Sequence, residues 1–120
     1  MIKTKRIYDA PSAEDGYRIL VDKLWPRGLK KEDAKLDEWA KNLAHSKSLR
    51  KWFDHKKDRF EEFCQRYKEE LLEQKDELKH LLELASIKDV TILYAAKNTA
   101  INNAVVLYKI LKSIENENKI

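Results

Sequence analysis

Tyr17-Arg18-Ile19-Leu20-Val21-Asp22-Lys23-Leu24-Trp25-Pro26-Arg27-Gly28 is the stretch whose reading decides the fold. Its first half carries an unbroken Ile19-Leu20-Val21 run. A strand that is apolar on both faces belongs in a parallel sheet covered on both sides. Its second half sets a large aromatic, a fixed φ, a guanidinium and one of only two glycines just past the strand end. Strand ends are where α/β proteins build ligand sites.

Val90-Thr91-Ile92-Leu93-Tyr94-Ala95 has the same character and reads as another strand. The two are expected to be central, parallel neighbours joined by a right-handed crossover. Lys3 to Asp9 reads as a short strand, with Ile2, Thr4, Arg6 and Tyr8 on one face and Lys5 and Ile7 on the other. The connection Pro11-Ser12-Ala13-Glu14-Asp15-Gly16 is rich in turn residues. It is short for a crossover, which leaves an antiparallel hairpin open for the first pair of strands.

The region between residues 33 and 86 reads as helical. Asp33 can cap a helix with apolar positions Leu36, Trp39, Ala40 and Leu43, and Ser46 a short one carrying Leu49, Trp52 and Phe53. Phe60, Phe63, Cys64, Tyr67 and Leu71 then recur at helical spacing, and the phase continues through Leu78, Leu82 and Ala85. One long helix and a break near Gln74–Asp76 are both compatible with this pattern. A last helix is expected over about Ala100 to Glu115, apolar around much of its circumference, with Asn116 to Ile120 a frayed tail. The fold class is therefore α/β: a small, mainly parallel sheet of about three strands packed with four to five helices, in one domain over 1–120.

Composition narrows the function classes. Hydrophobic residues make up 42% and charged residues 38%, the balance of a globular domain with a heavily charged surface. No apolar run reaches the ~20 residues of a membrane span, and the N-terminus begins a strand at once with no signal peptide. The single cysteine, Cys64, excludes an intramolecular disulfide and points to a reducing cytosol; its position gives it the role of an inert core thiol. His45, His55 and His80 show no metal-ligand spacing with Cys64, and no cofactor is implied. The net charge of +4 is uneven: residues 1–60 hold 16 basic and 10 acidic residues, the remainder 9 and 11.

The residues that could carry chemistry gather at two strand ends. Asp22, Trp25 and Arg27 can hold a polar ligand from several sides, with Asp22 as base or as the group that orients Arg27. After the later strand, Lys97 stands just before the last helix, where a helix N-terminus favours anions, with Asn98 or Thr99 as cap. Arg6, Tyr8 and Asp9 end the first strand and could join the same crevice. His55 reads as an exposed or capping residue in a turn, and Lys47-Ser48-Leu49-Arg50-Lys51 as a solvated helix face.

Leu24-Trp25-Pro26-Arg27-Gly28, Leu49-Arg50-Lys51-Trp52-Phe53, the Phe63…Tyr67 helix and Leu93-Tyr94-Ala95-Ala96-Lys97…Asn102-Asn103-Ala104 together resemble the short bacterial YeaO-like proteins of the domain of unknown function 488 family. The resemblance covers nearly the whole chain. It implies a cytosolic α/β protein and transfers no mechanism. It also favours the parallel arrangement of the first two strands, because longer relatives have a helix between them. Many short members have a His where this chain has Ile101. Longer relatives often carry a Cys-His-Arg cluster near the start of the corresponding helix; aligned by the preceding strand, those positions fall on Asn102, Asn103 and Ala104 here. Asn side chains bind and orient ligands but neither titrate nor attack.

The functional expectation is thus a crevice for a small anionic ligand, a nucleotide or phosphate-bearing metabolite, built from Asp22, Trp25, Arg27, Lys97 and Asn103. The alternatives are a nucleic-acid-binding module using the basic half, or a protein-interaction surface on residues 33–86. A continuous basic face would favour the former, and a large exposed apolar patch the latter.

Overall fold

A computed structural model describes residues 1–117. Among them the sheet has four strands: β1 (Ile2–Arg6), β2 (Tyr17–Leu20), β3 (Glu38–Trp39) and β4 (Val90–Tyr94), in the order β1-β4-β2-β3. Every pair is parallel. The two apolar runs are the central neighbours, with Ile19 opposite Ile92 and Leu20 opposite Leu93. The first two strands do not touch. Both pair with β4, which removes the hairpin.

Five α-helices are present among the described residues: α1 (Lys31–Ala34), α2 (Lys47–Phe53), α3 (Phe60–Leu72), α4 (Lys75–Ile87) and α5 (Asn103–Glu117). The alternating side chains of the sheet explain the unbroken apolar runs. Ile2, Ile19, Val21, Val90, Ile92 and Tyr94 face the main core with residues of α2 to α5. Ile7, Leu20 and Leu93 face a smaller core with Ala34, Trp25 and Trp39. Helices α2 to α5 thus cover one face; loops and the four-residue α1 cover the other. No described helix is long and apolar enough to cross a membrane.

The second face is held by a buried polar network. Asp15 takes hydrogen bonds from the Ser12 N–H (3.0 Å), from Lys5 Nζ and from Arg18 Nη1. Arg18 donates onward through Nη2 to the Ala34 carbonyl (2.8 Å) and through Nε to that of Lys35 (3.2 Å). The Thr91 hydroxyl donates to the Asp15 carbonyl at 2.6 Å. A ten-residue connection can therefore cross the sheet with a single 3-10 turn (Ala13–Asp15) and no α-helix, because charge-assisted bonds replace apolar cover. Gly16 completes it: at φ +63, a Cβ here would lie 2.4 Å from the Asp89 carbonyl oxygen.

Residues 33–43 depart from the expected helix. Lys35 adopts left-handed φ (+48) and ends α1, its carbonyl and that of Ala34 held by Arg18. The chain then docks on β2: Asp37 N–H donates to the Arg18 carbonyl (2.9 Å), and Ala40 N–H to that of Leu20 (2.8 Å). A buried strand edge needs backbone partners, and that need overrides the helical period. Trp39 consequently sits on a strand rather than in a helix.

Other boundaries follow the local signals. Ser46 caps α2 by accepting the Leu49 N–H (3.2 Å), and its own N–H and hydroxyl bind Glu70. The chain breaks at Glu73–Gln74, giving two helices instead of one. α5 starts at Asn103, not Ala100, and runs through Asn116 and Glu117, which are helical and not frayed; the rest of the expected tail, 118–120, lies outside the described residues. Cys64 is half-buried against the main core, where burial pushes its thiol up and keeps it protonated. Trp52 is also only half-buried, at the core margin beneath the Arg66 guanidinium, 4.4 Å from the ring centroid.

Phe63, 1% exposed and stacked 4.3 Å from Phe53, should cost about 3–5 kcal/mol on substitution by Ala. Trp52→Ala should cost less, roughly 1–2 kcal/mol, because only part of its area and its cation–π contacts are lost. Urea titrations of both variants measure the difference.

Asp15 gives a pH dependence. Burial raises its carboxyl, but the Ser12 N–H, Lys5 and Arg18 outweigh that and hold it below the ordinary value of 3.8. The unfolded chain then binds more protons in acid, so this stabilisation is present above about pH 4 and lost as pH falls through the folded value. Asp15→Asn should cost about 3–5 kcal/mol at pH 7 by leaving Arg18 buried and unpaired. Its deficit in urea midpoint should narrow at pH 3.

Candidate functional site

The C-terminal ends of β2 and β4 meet the start of α5, and a cavity of about 380 Å³ opens there. Asp22 fixes its geometry. One carboxylate oxygen accepts the Ala95 N–H at 2.7 Å, and the other the Asn103 amide at 3.1 Å. The same Asn103 nitrogen donates to the Val21 carbonyl at 3.0 Å. Burial raises the Asp22 carboxyl; the two donors and the nearby charge of Arg50 oppose that rise.

The turn after β2 supplies one wall. Pro26 is buried, Leu29 N–H closes the turn onto the Pro26 carbonyl at 3.4 Å, and Gly28 takes the φ of +77 that this path requires. Trp25 is locked: its Nε1 donates to the Leu29 carbonyl (2.6 Å), and its ring meets Trp39 edge-on at 5.2 Å. Arg27 is exposed, and its carbonyl accepts the Tyr8 hydroxyl at 2.8 Å.

Four of the five sequence candidates, Asp22, Trp25, Arg27 and Asn103, line this cavity. Lys97 does not. It is exposed on the loop after β4, and the cavity lining takes Ala95, Ala96 and Ile101 from that segment instead. Asp22 does not orient Arg27: neither an ion pair nor a hydrogen bond joins them among the described residues. The expected caps are also displaced. Asn98 Oδ1 accepts the Ala100 and Ile101 N–H groups (2.9 Å each), while Asn102 Oδ1 accepts the Val105 N–H (2.9 Å) and so caps α5. Tyr8 lines the cavity; Arg6 and Asp9 do not, and Arg6 stands behind the lining, its Nε on the Ala96 carbonyl at 3.0 Å and its guanidinium 4.9 Å from the Tyr8 ring centroid.

Sequence reasoning missed Lys23, His45 and Arg50 as site residues; His55 is exposed, as expected, and it too lines the cavity. Arg50 is half-buried, not part of a solvated face. The signal was its place between Leu49 and Phe53, at the margin of the buried stripe of α2. His45 precedes the Ser46 cap, the position that commonly packs back onto the fold. Its ring lies edge-on to Phe63 (5.2 Å) and Tyr67 (5.6 Å), and its Nδ1 is buried without a hydrogen-bond partner among the described residues. Burial pulls His45 down to about 4; Glu70 opposes this, and Arg50, His55 and Lys23 reinforce it. It is neutral at pH 7. Asp54 and His55 are successive left-handed residues (φ +48 and +54) that bring His55 to the rim.

The charge around the cavity is lopsided. Lys23, Arg27 and Arg50 face one carboxylate, Asp22, and none of the three cations makes an ion pair among the described residues. No group of three or more His, Cys, Asp or Glu side chains among those residues is placed to hold a metal ion. Asn102 and Asn103 bring hydrogen bonds and no titration.

The family model described as the inactive DUF488-N3 subclade matches residues 1–119. The uncharacterised protein YeaO of Escherichia coli (strain K12) is 46% identical over 113 residues, covering 94% of this chain and 98% of that protein. Uncharacterised proteins of Mycobacterium bovis (Mb3100c) and Mycobacterium tuberculosis (Rv3073c) are each 38% identical over 110 residues, 92% of both chains. No solved structure is significantly similar. With the match running almost end to end over a parallel sheet whose strand ends carry the Trp-Pro-Arg-Gly turn, the chain belongs to the DUF488 family as a YeaO-like member of its inactive N3 subclade.

Proposed function

We propose that this chain binds a small anionic ligand, a nucleotide or phosphate-bearing metabolite, in the cavity at the ends of β2 and β4, without turning it over. The observation that carries the reading is the trio of Lys23, Arg27 and Arg50 around one cavity with no carboxylate paired to any of them among the described residues. Cations left unpaired beside a concave surface raise the local concentration of anions. The start of α5 adds its dipole. Arg50 takes the place that the sequence assigned to Lys97. The description of the subclade as inactive fits a site in which Asn102 and Asn103 offer no nucleophile.

Titration calorimetry against AMP tests this. Arg27→Ala should weaken binding about five- to thirty-fold, the equivalent of roughly 1–2 kcal/mol, with the melting temperature nearly unchanged because the side chain is exposed. Arg27→Lys should restore only part, since the bidentate fork is lost. Absence of binding by the wild type to AMP and to sugar phosphates, or a large fall in melting temperature in Arg27→Ala, would overturn the reading.

A further inference from the structure

The cavity is charged at its rim and carbon-lined within. Arg27 and Lys23 are exposed, whereas Phe63 and Asn103 are 1% and 5% exposed. Its aromatic wall is pre-formed: Trp25 is fixed by its hydrogen bond to Leu29, and Phe53 is stacked on Phe63. A free phosphate held by the rim cations would leave that surface in water. A cavity of about 380 Å³ suits an organic body instead.

Asp22 imposes a second requirement. Its oxygens accept two neutral N–H donors, from Ala95 and Asn103, and each oxygen can accept a further bond. No cation makes an ion pair with it among the described residues; half-buried Arg50 acts on it from a distance and offsets part of its charge, while the two exposed cations, Arg27 and Lys23, stand at the rim. An anionic group placed beside this carboxylate would be repelled. An N–H donor in the same place would be attracted. The anionic end of a ligand is therefore driven to the rim, and a donor to the interior.

We propose that the cavity selects a bipolar ligand: a phosphate or carboxylate at the rim with Arg27 and Lys23, a flat apolar body along Trp25 and Phe53, and an N–H donor received by Asp22. Asp22 is then the specificity-determining residue. The inference rests on the anion-site reading above and narrows it from any phosphate-bearing metabolite to those with a planar body and a donor opposite the acid.

Four probes test it by calorimetry at pH 7.5: inorganic phosphate, ribose 5-phosphate, phenyl phosphate and 4-aminophenyl phosphate. The aminophenyl compound should bind about ten-fold more tightly than phenyl phosphate, and phenyl phosphate about ten-fold more tightly than ribose 5-phosphate. Asp22→Asn should bring the two aryl phosphates to equal affinity. Asp22 also ties Ala95 and Asn103, so if this variant does not fold, the wild-type ratios decide alone. Equal wild-type affinity for the two aryl phosphates, or a preference that survives in folded Asp22→Asn, overturns the role of Asp22. Inorganic phosphate or ribose 5-phosphate binding as tightly as the aryl compounds overturns the bipolar ligand and leaves the anion site standing. Binding of none of the four removes both.

Discussion

Asp22 joins three pieces of chain at one carboxylate: the end of β2, the residue after β4, and the first turn of α5. Parallel strands leave their last carbonyls and amides without ladder partners, and here a side chain supplies them. The Ala95 N–H goes to Asp22, and the Val21 carbonyl receives Asn103. Because Asn103 spends its amide hydrogens on this bridge, α5 cannot slide or rotate at its start without stranding buried polar groups. The cavity inherits that rigidity. Its lining comes from several separate segments, yet the elements that shape it are referenced to one carboxylate.

The opposite face of the sheet solves a different problem. A helix would bury it with apolar area; this chain uses a connection of ten residues and a short α1, joined by Asp15 and Arg18. The side chains of that pair are 4% and 5% exposed, and isolated charges so deep would be costly to desolvate. Lys5, the Ser12 N–H and the carbonyls of Ala34 and Lys35 fill the remaining valences, so the network is satisfied throughout. It also sets where α1 stops, and hence where the chain returns to lie beside β2.

Much of this was legible in the sequence. The Ile-Leu-Val and Val-Thr-Ile-Leu runs state burial on two faces, which only a covered parallel sheet provides. The spacing of Phe63, Tyr67 and Leu71 and the Ser46 cap are local signals with local causes. Residues 33–43 were misread because Leu36, Trp39, Ala40 and Leu43 satisfy a helical period while the segment's backbone is claimed by the edge of β2, a demand no local pattern records. The site divides the same way. Asp22, Trp25, Arg27 and Asn103 are carried to the cavity by the strand ends themselves. Arg50 and His45 arrive from another layer of the fold, and their approach depends on how α2 packs over the sheet. Lys97 failed because Asn98 and Asn102 wind the chain through an extra turn before α5 begins.

The strand order β1-β4-β2-β3 has a consequence for how the molecule comes into being. During synthesis β1 and β2 emerge first, yet neither can pair with the other; each waits for β4, some 70 to 90 residues further along the chain. Until Val90–Tyr94 arrives, the apolar run of β2 has only the two-residue β3 to lean on. The helical stretch between them can form early because its contacts are short-range, while the sheet must close long loops in a late step. The apolar run of β2 therefore gains its central neighbour only after most of the chain has been made, and the sheet closes as one event around β4.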